Sequence, residues 1–212
     1  MNQSHRAVRG PGRVLFGLLA AALLASTPLA NAETPSQLQN CVGCHGENGI
    51  SKNSDIPIIA GASAFFLENQ LFLFRDEGRP CAGELFSQQE DPPADNHCAL
   101  ATDWSDADIA ALAGYFSELP HHSAEQSVDA ALAQTGKAIH ERSCDRCHAE
   151  GGSLALDDAG ILAGQWRPYL IRTLKSFRAE ERWQEEKMAE ATATLSDDDI
   201  KALAEYYVSV GQ

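Results

Sequence analysis

The pentapeptide Cys41-Val42-Gly43-Cys44-His45 recurs as Cys144-Asp145-Arg146-Cys147-His148, and this pair constrains the fold more than any other feature of the chain. Each reads C-x-x-C-H, the attachment sequence of a c-type haem. Cys41 and Cys44, and again Cys144 and Cys147, can each form thioethers to one porphyrin. His45 and His148 then lie under the rings and ligate the irons. A pair of disulfides is an alternative use of the four thiols, and one four-cysteine zinc site is another. The zinc site would leave both histidines unexplained.

The repeat extends well beyond the pentapeptides. An offset of 103 residues maps Ile58-Ile59-Ala60-Gly61 onto Ile161-Leu162-Ala163-Gly164. It also maps Phe66, Leu67, Leu71, Phe74 and Arg75 onto Tyr169, Leu170, Leu174, Phe177 and Arg178. The apolar members follow helical spacing, and Pro168 suits a first helical turn. Further on the offset becomes 91, carrying Ser105, Asp106, Asp108, Ile109, Leu112, Ala113 and Tyr115 onto Ser196, Asp197, Asp199, Ile200, Leu203, Ala204 and Tyr206. Each copy predicts a helix with a serine N-cap and acids in its first turn. One apolar stripe is Ile109, Leu112, Ala113 and Phe116; the other is Ile200, Leu203, Ala204 and Tyr207. The first copy carries 12 extra residues between Arg75 and His97, where Gly78, Pro80, Pro92 and Pro93 predict a loop. Nothing alternates with a period of two. The expected fold is all-α, with one domain over 33–119, a linker over 120–126 and a second domain over 127–212.

Residues 1–32 read as a secretory signal peptide. Arg6, Arg9 and Arg13 precede an apolar run from Val14 to Ala25, and Ala30-Asn31-Ala32 predicts cleavage before Glu33. That run is too short to span a bilayer comfortably, and no other approaches spanning length, so no stable membrane span is expected after cleavage. Haem attachment and disulfides both suit an exported protein, and the expected compartment is the periplasm. The mature chain would carry 13 Lys and Arg against 30 Asp and Glu. Such acidity argues against nucleic acid or anionic lipid as partner. A redox protein with a basic docking surface fits it and solubility alone explains it equally well, while a flavoprotein partner is permitted by it without being required.

The distal iron ligands follow from register. Met1 leaves with the signal, so Met188 is the one methionine left to serve. It stands eight residues before Ser196, and it is the expected distal ligand of the second haem (haem two). Eight residues before Ser105 stands His97, which predicts bis-histidine ligation of the first haem (haem one) by His45 and His97. Cys98 is a rival thiolate ligand, and an open position is a third reading. Cys81 and Cys98 bracket the inserted loop and pair most simply as a disulfide, which would remove Cys98 as a ligand. The second ring nitrogen of each proximal histidine needs a carbonyl, for which Pro57 and Gly160 are candidates. Among the lesser features, His121 and His122 read as a surface pair and His140 as solvated. Trp166 and Trp183 are expected around haem two, and Trp104 near the last helix of the first copy. Arg75 and Arg178 are candidate partners of the haem propionates or else solvated.

Two C-x-x-C-H units, each followed by an Ala-Gly loop, an aromatic helix and a final helix of the kind 195–207 (LSDDDIKALAEYY), resemble the di-haem cytochrome c4 family. The related cytochrome subunit of flavocytochrome c sulfide dehydrogenase is similar. The resemblance covers almost the whole mature chain. It implies two tandem cytochrome c-like domains with two covalently attached haem c groups close enough to exchange electrons. By position, Cys41, Cys44 and His45 would bind haem one, and Cys144, Cys147, His148 and Met188 haem two. The family usually places Met opposite both irons; this chain departs from that at His97 and in the Cys81–Cys98 loop. The function expected is electron transfer from haem one to haem two without catalysis of its own. Membership of a flavoprotein sulfide dehydrogenase complex and sulfur-compound chemistry at haem one are the alternatives.

Overall fold

A computed structural model describes residues 34–81, 97–155 and 158–212. The signal-peptide expectation, and all but the ends of the inserted loop, lie outside these residues. The described residues form helices and no strand. In order they are α1 (Leu38–His45), α2 (Ala64–Arg75), α3 (His97–Ala101), α4 (Asp106–Ser117), α5 (Ala130–Ser143), α6 (Ala149–Gly152), α7 (Arg167–Arg178), α8 (Glu186–Ala193) and α9 (Asp197–Val210). No described helix is long and apolar enough to cross a membrane.

The duplication is visible element by element. Helices α2, α3 and α4 recur as α7, α8 and α9. The starts of α4 and α9 are full capping boxes: Ser105 and Ser196 accept from the amides of Asp108 and Asp199, whose carboxylates accept from the serine amides in return. The two starts of α2 and α7 reach the same end differently. Ser63 caps α2 through the Phe66 amide, whereas α7 has no side-chain cap and relies on Pro168 in its first turn.

Each copy buries the expected stripe. Ile109, Leu112, Ala113 and Phe116 of α4 join Leu38, Leu67 and Trp104 in one core. Leu203, Ala204 and Tyr207 of α9 join Ile139 and Leu170 in the other. Burying one such side chain fully contributes about 1.5–3 kcal/mol, so these stripes anchor the final helices. Helices α5 and α9 meet at Gly136, where a Cβ would overlap the Ala202 carbonyl.

The loops that follow the pentapeptides match as well. Gly49 accepts from the Ile59 amide at 2.9 Å, and Gly152 accepts from the Leu162 amide at 2.8 Å. Both glycines hold positive φ, 68° and 75°, a conformation that L side chains rarely adopt. Gly61 and Gly164 then donate to Phe116 and Tyr207, each at 2.9 Å, tying loop to final helix in each copy.

A third cluster, Ile58, Ala60 and Ala124 with Trp166 against it, joins the two halves. Gln165 clamps across it: its Oε1 accepts from the Ile58 amide and its Nε2 donates to the Ile58 carbonyl, both at 2.9 Å. Trp166 Nε1 donates to Ser51 Oγ at 3.0 Å, and Arg172 pairs with Asp55 at 2.9 Å. Trp166 therefore belongs to the interface rather than to the wall of a haem site. His121 is not merely a surface residue, because its ring nitrogens lie 3.3 Å from the Ala60 carbonyl and 3.2 Å from that of Ala163.

Candidate haem sites

The first pentapeptide occupies the last turns of α1, so Cys41, Cys44 and His45 are displayed from one rigid helix end. His45 is buried, and its Nδ1–H donates to the Pro57 carbonyl at 2.9 Å. That bond fixes the ring and leaves Nε2 as the nitrogen with a free lone pair. The second pentapeptide lies differently. Helix α5 ends before it, with Cys144 at its C-cap, and His148 caps α6. The Gly160 carbonyl raises the affinity of His148 for a proton, but Nδ1 has no partner of full hydrogen-bond geometry. Burial outweighs that carbonyl and, with His140 nearby, lowers His148 to about 4.

His97 opens α3 and Met188 lies on α8, the matching short helix. The His97 ring stacks on Phe74 with centroids 4.3 Å apart and planes 12° from parallel. Its centroid lies 5.9 Å from that of His45. Burial, then the nearby His45 and Arg79, lower His97 to about 3; burial also lowers His45. Both rings are therefore neutral near pH 7, the form that binds a metal. Two imidazoles bound to one metal from opposite sides, at about 2 Å each and with each nitrogen about 1 Å from its ring centre, would stand about 6 Å apart. The observed spacing fits an iron between them.

Cys81 and Cys98 are joined as a disulfide, with Cα atoms 5.7 Å apart, within the usual range for such a bond. None of the four pentapeptide cysteines is joined in a disulfide, which removes the alternative of a disulfide pair. Burial raises the thiols of Cys41, Cys44 and Cys144, that of Cys41 to about 11 with Cys44 adding to it. Before haem attachment they are therefore thiols rather than thiolates near pH 7. Among the described residues no three or more His, Cys, Asp or Glu converge as a metal site, so the four cysteines do not assemble as a zinc centre.

One cavity of about 2080 Å³ is lined by Cys41, Cys44, His45 and His97 and also by Cys144, Cys147, His148 and Met188. Pockets for a single small ligand run to about 1,000 Å³. Its volume and donor set fit two porphyrins.

Several neighbours differ from expectation. His140 is buried, with Nδ1 3.1 Å from the Tyr207 hydroxyl and Nε2 3.3 Å from Asp145, which removes it from solvent. Arg75 and Arg178 bind Asp106 and Asp197 at 2.8 and 2.7 Å, so both guanidiniums are already neutralised at the starts of α4 and α9. Trp183 lines the cavity but is 53% exposed. Sequence reasoning passed over Arg79 and Arg182, which line the cavity as well. The offset of 103 relates them and was the available signal.

Comparison with known proteins matches each half to a haem-protein family. The model described as "Cytochrome c" covers residues 32–120. That described as "Cytochrome C oxidase, cbb3-type, subunit III" covers 131–206. The chain is a di-haem c-type cytochrome similar to cytochrome c4. The cytochrome is 29% identical to cytochrome c4 of Pseudomonas aeruginosa over 182 residues, 78% of this chain and 81% of that protein. It is 27% identical over 225 residues to a thiosulfate dehydrogenase electron acceptor of Stutzerimonas stutzeri, spanning 100% of this chain and 98% of that one. The solved cytochrome c4 of Acidithiobacillus ferrooxidans superposes with a TM-score of 0.67 at 26% identity, covering 81% of this chain and 99% of that one. The cytochrome thus has two tandem cytochrome c domains and carries two covalently bound haem c groups.

Proposed function

We propose that this chain is a periplasmic electron carrier that passes electrons from haem one to haem two. In this reading Cys41 and Cys44 attach haem one, between His45 and His97. Cys144 and Cys147 attach haem two, between His148 and Met188. The bound haems supply the irons that take up and release single electrons. The observation that carries the reading is the 5.9 Å spacing of the His45 and His97 rings. A second imidazole in that place leaves no coordination position for a substrate. The Cys81–Cys98 disulfide supports it by engaging the sulfur of the rival ligand. A thioether opposite the second iron favours a higher potential than an imidazole does. Met188 therefore makes the C-terminal half the electron sink, and His97 makes the N-terminal half the entry point. The signal-peptide pattern of residues 1–32 supports export.

The test is exposure of the reduced holoprotein to carbon monoxide. Six-coordinate irons should leave both spectra unchanged. Rapid binding at haem one would contradict the reading and favour chemistry at that iron.

The full-length similarity to a thiosulfate dehydrogenase electron acceptor favours one donor class. In this second reading the acidic surface docks a dehydrogenase that oxidises a sulfur compound, whether flavoprotein or haem protein. Stopped-flow mixing with a thiosulfate dehydrogenase and thiosulfate should reduce the haems within turnover time. Haems that stay oxidised would rule out that donor.

A further inference from the structure

Two arginines, one from each half, meet on a single side-chain oxygen in the cavity wall. Arg79 and Arg182 are related by the offset of 103 that relates the pentapeptides. Each guanidinium lies 4.1 Å from the centroid of the equivalent ring, Arg79 over Phe74 and Arg182 over Phe177. Arg79 Nη1 donates to Gln70 Oε1 at 2.7 Å, and Arg182 Nη2 donates to the same atom at 2.8 Å. Both also engage the Tyr169 hydroxyl. Arg182 is only 8% exposed, and its Nε has no partner. Among the described residues no carboxylate forms an ion pair with either arginine, whereas Arg75, Arg167, Arg172 and Arg178 each have one.

Two like charges buried together are unfavourable unless an anion neutralises them. Burial lowers both guanidiniums, that of Arg182 to about 9 with the Arg79 charge adding to the effect. Burial alone would raise the Tyr169 phenol, but Arg79 and Arg182 outweigh it and hold the phenol below its ordinary value. The surroundings call for negative charge, and a planar guanidinium fork matches a carboxylate. The propionates are the carboxylates that the two haems bring into this cavity.

We propose that Arg79 and Arg182, with Tyr169 and Gln70, form one shared site that receives a propionate carboxylate from each haem, so that each arginine tunes both haems. The inference rests on the two-haem reading and deepens it. Arg79 and Arg182 act here as positioning residues, since neither is an iron ligand.

The test compares unaltered holoprotein with R79Q, R182Q and R182K. Haem content is counted first; fewer than two haems in the unaltered chain overturns the two-haem reading and this proposal together. With two present, redox titration follows each haem through its own axial-ligand spectrum, and resonance Raman follows the propionate bending bands. The reduced iron carries one positive charge fewer than the oxidised iron, so a nearby cation favours reduction; its loss in R79Q and in R182Q should lower the potentials of both haems and shift both sets of propionate bands. R182K keeps the charge but loses the fork, so it should shift the bands with a smaller change in potential. A response confined to the haem of the altered half overturns the shared site, as do unchanged propionate bands in R182K. Potentials that track added phosphate, with propionate bands indifferent to the substitutions, would assign the pair to a free anion and also overturn it.

Discussion

A histidine buried beside another histidine and an arginine is held neutral, and His97 is in that position. Phe74 fixes the plane of its ring by stacking. Neutrality and a fixed plane are what an axial ligand needs, and neither is a property of histidine alone. His97→Ala should open one coordination position. The reduced variant is expected to bind carbon monoxide at one haem per chain, measured by difference spectroscopy, while the parent binds none. A variant as inert as the parent would remove His97 from the iron. Register in the repeat was enough to single out His97 and Met188, because both fall on the equivalent short helices α3 and α8. The burial of His140 was not legible in the same way. It depends on the Tyr207 hydroxyl, contributed by α9 far along the chain, and on Asp145 inside the second pentapeptide.

At the scale of the element, the repeated helix starts carry measurable stability. Ser196→Ala removes the cap of α9 and should cost about 1 kcal/mol in urea unfolding. The Ser196 hydroxyl, and then its amide, hold the Asp199 carboxylate below its ordinary value of 3.8. A carboxylate lowered on folding stabilises above its unfolded value and loses that contribution as pH falls through the folded one. The gap between parent and variant should therefore narrow below about pH 3.8, and a gap that widens in acid would contradict the cap. Gly136→Ala inserts a methyl group where α5 meets the Ala202 carbonyl. Overpacking of this kind costs about 1–3 kcal/mol, so thermal unfolding should move down; an unchanged midpoint would mean that the helices do not cross so closely. The final helices were readable because serine, acid and apolar stripe recur in register. The close approach at Gly136 was not, since a glycine inside a helical pattern does not reveal what packs against it.

At the scale of the whole molecule, the two halves are held by side chains that sequence patterns do not flag. Gln165 satisfies both backbone groups of Ile58 across a separation of 107 residues. Gln165→Leu would leave a buried N–H and C=O unpaired, at about 1–3 kcal/mol for each group. Unfolding of the holoprotein, followed at the absorption of each haem, should then separate into two transitions where the parent shows one. A single transition at the parent midpoint would show that the clamp does not couple the halves. The interface also brings Arg79 and Arg182 together, which is why haems attached to different halves can share surroundings.

We propose that the two haems of this chain have unequal ligation, histidine opposite one iron and methionine opposite the other. Spectroelectrochemical titration of the unaltered holoprotein, with low-temperature EPR of the oxidised state, tests this most directly. Two one-electron steps are predicted, with the methionine-ligated signal reduced first and the bis-histidine signal at lower potential. A single signal type, a thiolate or high-spin signal, or the bis-histidine component reduced first would contradict the account.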